Sequence, residues 1–145
     1  MAGLTLEQKQ TFLAGLHVGM LSIPRTTPAG EVAAPLTSPV WYGYEADGEL
    51  SFLTMNNSKK GKLLKVGLPV SFCVQDEKPP YAYVSVTGKV SRITESLLEK
   101  ELRPIARRYL GTAGGDAYTD REGVENTITV AVAIDSWLAV DYGSS

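Results

Sequence analysis

One cysteine and one histidine are all that this chain of 145 residues holds of the softer metal-binding side chains. Cys73 alone can close no internal disulfide and build no thiolate cluster within one chain. His17 alone supplies no multi-histidine metal centre, and a Ser-His-Asp triad would have to be built around that one residue. An excess of charge is missing too: 14 Lys+Arg stand against 16 Asp+Glu, a formal net charge of -2. No global positive field exists to recruit nucleic acid or anionic lipid, so any anion site must be local. No stretch approaches the roughly 18 consecutive apolar residues of a spanning helix. The start, "MAGLTLEQKQTFLAGL", lacks the basic segment and unbroken apolar run of an export signal. These absences lead us to expect a soluble, unexported protein of the reducing cytoplasm, with no metal.

With 43% hydrophobic residues the chain has enough apolar side chains to close one core, and residues 1–145 are expected to form a single domain. Thr5 and Gln8 have the spacing of a capping box, and Leu6, Phe12, Leu13 and Leu16 give a partial apolar stripe, so residues 6–16 read as a short helix. "VGMLSIP", "TSPVWYGYE", "ELSFLTM", "PVSFCVQDE", "AYVSVTGKVSRI" and "NTITVAVAIDSWLAVDY" read as strands, the fifth with a bulge at Gly88. "RTTPAGE" and Asp47-Gly48 are turn signals that make two hairpins. Ser58 is placed to cap a helix over 58–66, with Gly61 weakening it and Gly67 and Pro69 stopping it. "TESLLEKELRPIARRYLG" reads as helix, broken or restarted at Pro104. "TAGGDAYTDREG", polar and rich in glycine, is expected to be a mobile loop. Six or seven strands joined mostly by short turns predict an antiparallel barrel with short helices.

The chemistry concentrates in "SFLTMNNSKKGKLLKVGLPVSF". A strand ending at Thr54 and a helix starting after Ser58 would turn two hydroxyls and free backbone N–H groups toward one volume, where a helix dipole favours an anion. Lys59 and Lys60 in the first helical turn oppose that dipole unless an anion compensates them. The plainer reading is a solvated basic helix face. His17, directly after an apolar helix, is expected to cap or pack, and Cys73 in "VSFCV" to act as a small buried hydrophobe. Trp41 and Tyr42 read equally well as a strand pair with one ring in the core, and Trp137 as core. "GTAGGD" lacks the setting of a phosphate-binding loop.

This arrangement resembles the pyridoxamine 5'-phosphate oxidase-like split-barrel proteins, flavin and deazaflavin binders that show a strand, a threonine, Ser/Arg, Lys and then a helix. "VGMLSI", "TSPVWYGYE", "PVSFCVQDE", "YVSVTGKV", "ARRYLG" and "IDSWLAVDY" follow the family's order along nearly the whole chain. The resemblance implies a mainly β split barrel and a flavin-class oxidoreductase moving hydride or electrons to or from a small molecule. It implies Thr54, Ser58, Lys59 and Lys60 around the phosphate of FMN or coenzyme F-420, and Pro39, Val40 and Trp41 beside its ring. It also implies a homodimer with the cofactor at the interface, where Tyr83 would face the partner's cofactor. Lys62 and Lys65 would offer a basic track for the poly-glutamate tail of F-420 and tilt the expectation that way. Two departures stand out: Ser58 replaces an arginine common in relatives, and the Arg-rich C-terminal segment of true pyridoxamine phosphate oxidases is missing, which sets vitamin B6 oxidation aside. The sequence names no acid or base. A binder of flavin, haem or tetrapyrrole without turnover, or a cofactor-free dimeric barrel, remains open beside the enzyme.

Overall fold

Thr5 caps the first helix as its spacing predicts, its side chain accepting from the Gln8 backbone N–H while Gln8 reaches back to the Thr5 N–H. That helix, α1 (Leu6–Leu13), ends three residues short of the expected span, because Ala14 and Gly15 turn back on the Gln10 and Phe12 carbonyls. The structure, a computed structural model, describes residues 3–46 and 48–143. Asp47, half of the expected turn dipeptide, lies outside the described residues; the turn itself is closed by Gly48 N–H donating to the Glu45 carbonyl at 2.8 Å.

Seven strands form one antiparallel sheet: β1 (Gly19–Thr26), β2 (Val32–Val40), β3 (Gly43–Tyr44), β4 (Leu50–Met55), β5 (Pro69–Asp76), β6 (Ala82–Glu95) and β7 (Thr127–Asp141). Their order is β2-β1-β5-β6-β7-β4-β3. The two edges are therefore consecutive in sequence, since β2 passes into β3 through Trp41 and Tyr42 alone. That crossing rolls the sheet into a split barrel. The strand expected over "TSPVWYGYE" is thus two strands serving opposite edges. The irregularity expected at Gly88 is present, but the extra residue is Asp135 on β7: Thr87 pairs with Ser136 and Gly88 with Ile134.

Alternation along the strands builds the core. Leu21, Ile23, Leu50, Phe52, Phe72, Val74, Val84 and Val130 point inward and are fully or almost fully buried, together with Tyr42 and Leu13. Tyr42 donates its hydroxyl to the Leu13 carbonyl at 2.6 Å, and burial pushes its phenol pKa upward. Trp137 is partly buried and packs against the core.

After β4 comes α2 (Lys59–Leu63), shorter than the predicted 58–66 because Leu64 takes an extended backbone at φ -73, ψ 133. Gly61 has a reason to be there: a Cβ on it would meet the Met55 carbonyl oxygen at 2.2 Å.

The largest departure from expectation lies at 112–122. A π-helical turn (Leu98–Leu102) leads into α3 (Arg103–Glu122), which carries Pro104 in its first turn, where no N–H is missed. The polar stretch expected as a mobile loop is the second half of α3. The chain reverses at Gly111, whose φ of 77 and ψ of 173 are closed to other residues without strain. In an unbroken helix residues 13 apart would sit about 20 Å apart. Here Arg103 reaches Asp116 at 2.9 Å and Asp120 at 2.9 Å, while Arg107 reaches Asp116 at 2.8 Å. The two arms lie so close that a Cβ on Gly115 would meet the Arg107 backbone at 2.5 Å. Charged pairs at matched spacing and a buried glycine thus convert a glycine-rich segment into a helical hairpin. No helix among the described residues is long and apolar enough to cross a membrane.

The arginine hydrogen bonds hold the Asp116 carboxyl below its ordinary range, Arg107 contributing most. A depressed carboxyl stabilises the fold above its unfolded pKa and loses that contribution as pH falls through the folded value. Acidification below about pH 4 should therefore loosen the hairpin, read as a change in Trp41 fluorescence. Asp116→Asn should show the loosened signal already at neutral pH.

Candidate functional site

The turn between β4 and α2 positions the polar residues singled out above. Thr54 is buried at the end of β4, its Oγ1 lying 3.3 Å from Ser58 Oγ. Ser58 is the helix cap: its hydroxyl donates to the Met55 carbonyl at 2.7 Å and accepts from the Gly61 N–H at 3.0 Å. Its hydroxyl is therefore engaged within the turn, and α2, five residues long, brings little dipole. Lys59, Lys62 and Lys65 are exposed.

Lys60 differs. It is half-buried, burial alone pushes its ammonium below the ordinary 10.5, and among the described residues no carboxylate pairs with it. It lines a hollow of about 220 Å³ together with Pro39, Val40 and Trp41 from the β2 end. Lys60 and the consecutive residues Pro39, Val40 and Trp41, all named from sequence, thus meet in one place. The remaining walls are Leu53 of β4 and Leu102, Ile105 and Tyr118 of the helical region. A second hollow of about 370 Å³ shares Leu53, Leu102 and Tyr118 with the first; its other walls are Thr54, Met55, Gly123 and Thr127 and the exposed carboxylates of Glu122 and Glu125. Neither Ser58 nor Lys59 lines either hollow.

Trp41 points away from the core and is held by α3. Its ring stacks on Tyr109 at 5.1 Å and 7° and meets Tyr118 at 5.3 Å and 52°. Tyr109 donates its hydroxyl to the His17 carbonyl at 2.6 Å and accepts from the Tyr42 N–H at 3.1 Å. Arg108 beside it donates to the Gly15 and Ala14 carbonyls, closing the open end of α1. His17 does the same job, donating through Nε2 to the Phe12 carbonyl at 3.1 Å and stacking on the Phe12 ring. Cys73 is half-buried, and burial raises its thiol pKa, which disfavours a reactive thiolate.

Tyr83 stands apart from this hollow within one chain. It occupies the rung Gln75, Tyr83, Val140, next to the rung Pro39, Met20, Cys73, Ser85, Leu138 that crosses the outer face of the sheet. Three strand spacings, about 14 Å, separate that part of β6 from Pro39. Leu53, Leu102, Ile105, Tyr109 and Tyr118 are the neighbours that sequence reasoning missed. The available signal was two arginines and two aspartates at the same four-residue spacing, Arg103 with Arg107 and Asp116 with Asp120, which give two helix faces of opposite charge that can meet.

No family model matches the sequence, and no curated protein matches it. Solved structures do. A conserved hypothetical protein from Mycobacterium tuberculosis is 20% identical, covers 97% of this chain and 86% of its own, and superposes with a TM-score of 0.73. An F420 reductase is 19% identical over 89% of this chain and 94% of its own, TM-score 0.68. A FAD and heme binding protein from Mycobacterium smegmatis is 17% identical over 96% of this chain and 72% of its own, TM-score 0.68. At these identities the likeness is one of fold: the chain has the split barrel of the pyridoxamine 5'-phosphate oxidase-like proteins.

Any affinity of this hollow for anions should depend on the charge of Lys60, and so on pH. Its depressed pKa means the ammonium is lost at lower pH than for a free lysine. Titration with a phosphate monoester from about pH 7 to pH 11 should show affinity falling as pH rises through the Lys60 pKa, and Lys60→Met should remove that dependence.

Proposed function

We propose that the chain is a flavin-class oxidoreductase that binds coenzyme F-420 between the β2 end, the β4–α2 turn and the helical hairpin, with FMN as the competing cofactor. The observation that carries this reading is Lys60: a half-buried ammonium with no carboxylate partner among the described residues, in a hollow otherwise built from Pro39, Val40, Trp41, Leu53, Leu102, Ile105 and Tyr118. A half-buried cation with no carboxylate beside it among the described residues suits an anion, and apolar and aromatic walls suit a flat ring. A tricyclic coenzyme ending in phosphate has both. Thr54 Oγ1 and the Lys60 ammonium would hold the phosphate, the first as a directed donor and the second as a point charge. The bound coenzyme supplies the redox chemistry, and the protein's part is to hold it and exclude water. Exposed Lys62 and Lys65 favour F-420, whose tail carries further carboxylates.

The outer face of the barrel supports a homodimer. The rung from Pro39 to Leu138 leaves Met20 41% and Leu138 59% exposed, and it continues from the Trp41 hollow toward Tyr83. A second copy over this face would shield those side chains and bring its Tyr83 toward the neighbouring site.

Fluorescence titration with F-420 and with FMN tests the reading and ranks the cofactors. Lys60→Ala should weaken binding by about 1.5–3 kcal/mol, the scale of a hydrogen bond to a charged group; equal affinity of variant and wild type for both would remove Lys60 from the site. A reduced cofactor that is reoxidised no faster with protein plus acceptor than with acceptor alone would leave a binding protein without turnover. For the dimer, Leu138→Glu should give a monomer by analytical ultracentrifugation and weaken cofactor binding with it.

A further inference from the structure

Lys60 and Thr54, the two groups suited to one phosphate, line different hollows. The first, with Lys60, is about 220 Å³, and the second, with Thr54, about 370 Å³. Sites for molecules of drug size run to roughly 300–1,000 Å³; the Lys60 hollow alone falls below that range and the two joined lie within it. Three side chains form the shared wall: Leu53, Leu102 and Tyr118. Leu53 is fixed in the middle of β4, and Leu102 is buried where the π-helical turn meets α3.

Tyr118 is held by much less. It is half-buried on the outer arm of the hairpin, and among the described residues its hydroxyl has no hydrogen-bond partner. Its ring meets Trp41 at a 52° tilt, and the Arg121 guanidinium lies 5.5 Å over it. Tyr109, the other ring on Trp41, is pinned by hydrogen bonds to His17 and Tyr42 and lines neither hollow. Trp41 thus has one aromatic neighbour pinned by hydrogen bonds and one held by ring and cation contacts alone.

We infer that Tyr118 is a displaceable partition: in the empty protein its ring rests against Trp41 and divides the groove, and a planar aromatic anion binds by taking its place. Displacement joins the two hollows, and Thr54 and Lys60 then face a single ligand. The inference rests on the cofactor reading for the identity of the natural ligand, while the movement of the ring depends only on the ligand being flat and anionic. Tyr118 is in this sense a residue that sets affinity and ring size for the site.

The test uses the whole protein with three probes: F-420, FMN and 1-anilinonaphthalene-8-sulfonate, a flat aromatic anion unrelated to flavins. Tyr118→Ala should bind each probe that binds the wild type about two- to tenfold more tightly, the worth of the aromatic contact that no longer has to be broken. Tyr118→Phe, which keeps the ring, should bind like the wild type. In wild-type protein with 13C-labelled tyrosine, the Tyr118 ring signals should lose the ring-current shift from Trp41 on saturation, a readout that needs no variant to fold. If Tyr118 signals stay in place while a probe binds, or if none of the three probes binds, the partition is overturned. Displacement by the naphthalene dye with no binding of F-420 or FMN would uphold the partition and sink the cofactor reading. Tight flavin binding with Tyr118 unmoved would do the reverse.

Discussion

The crossing at Trp41 and Tyr42 is the constraint on which the rest of this molecule depends. Two residues carry the chain from one edge of a seven-stranded sheet to the other, and successive side chains on an extended backbone point to opposite sides. Tyr42 therefore goes into the core, where it meets Phe72 edge-on and anchors the carbonyl end of α1. Trp41 goes out, where it becomes the floor against which the helical hairpin is set. Closing the barrel and founding the hollow are one geometric event.

The hairpin answers that exposed indole. Tyr109 covers it and reads the crossing through the Tyr42 N–H, and Arg108 lies over the Tyr42 ring at 5.4 Å while binding the carbonyls that end α1. The ion pairs among Arg103, Arg107, Asp116 and Asp120 run from a mostly covered Arg103 to an exposed Asp120, and pairs with one partner in solvent contribute modestly to stability. Their work is geometric: they hold the second arm back against the first, so that Tyr118 arrives over the hollow. A groove made by one strand end, one turn and one helical arm brings together residues from 39 to 118 in the chain.

Much of this was legible beforehand. Capping at Thr5 and Ser58, the strand alternation, the bulge near Gly88 and the gathering of Lys60 with Pro39, Val40 and Trp41 all follow from local chemistry or from the family resemblance. Ser58 and Lys59 sit differently from Lys60: the Ser58 hydroxyl bonds within its own turn, and Lys59 is exposed. The segment 112–122 was misread because two adjacent glycines and many polar residues are the composition of a loop. Its helicity comes from contacts with Arg103 and Arg107, several turns away.

By itself the sequence determined most of the strands and turns, that one cysteine closes no disulfide within the chain, and that lysines and hydroxyls gather at one turn. Those properties depend on neighbours within a few residues, so they can be read along the chain. Tertiary structure alone decided that Lys60 is half-buried while Lys59, Lys62 and Lys65 are exposed, that Tyr109 and Tyr118 dress Trp41, and that Lys60 and Thr54 line neighbouring hollows with Tyr118 in common. Burial and pairing are set by what approaches from across the fold, and that approach was fixed only when β2 and β3 closed the barrel.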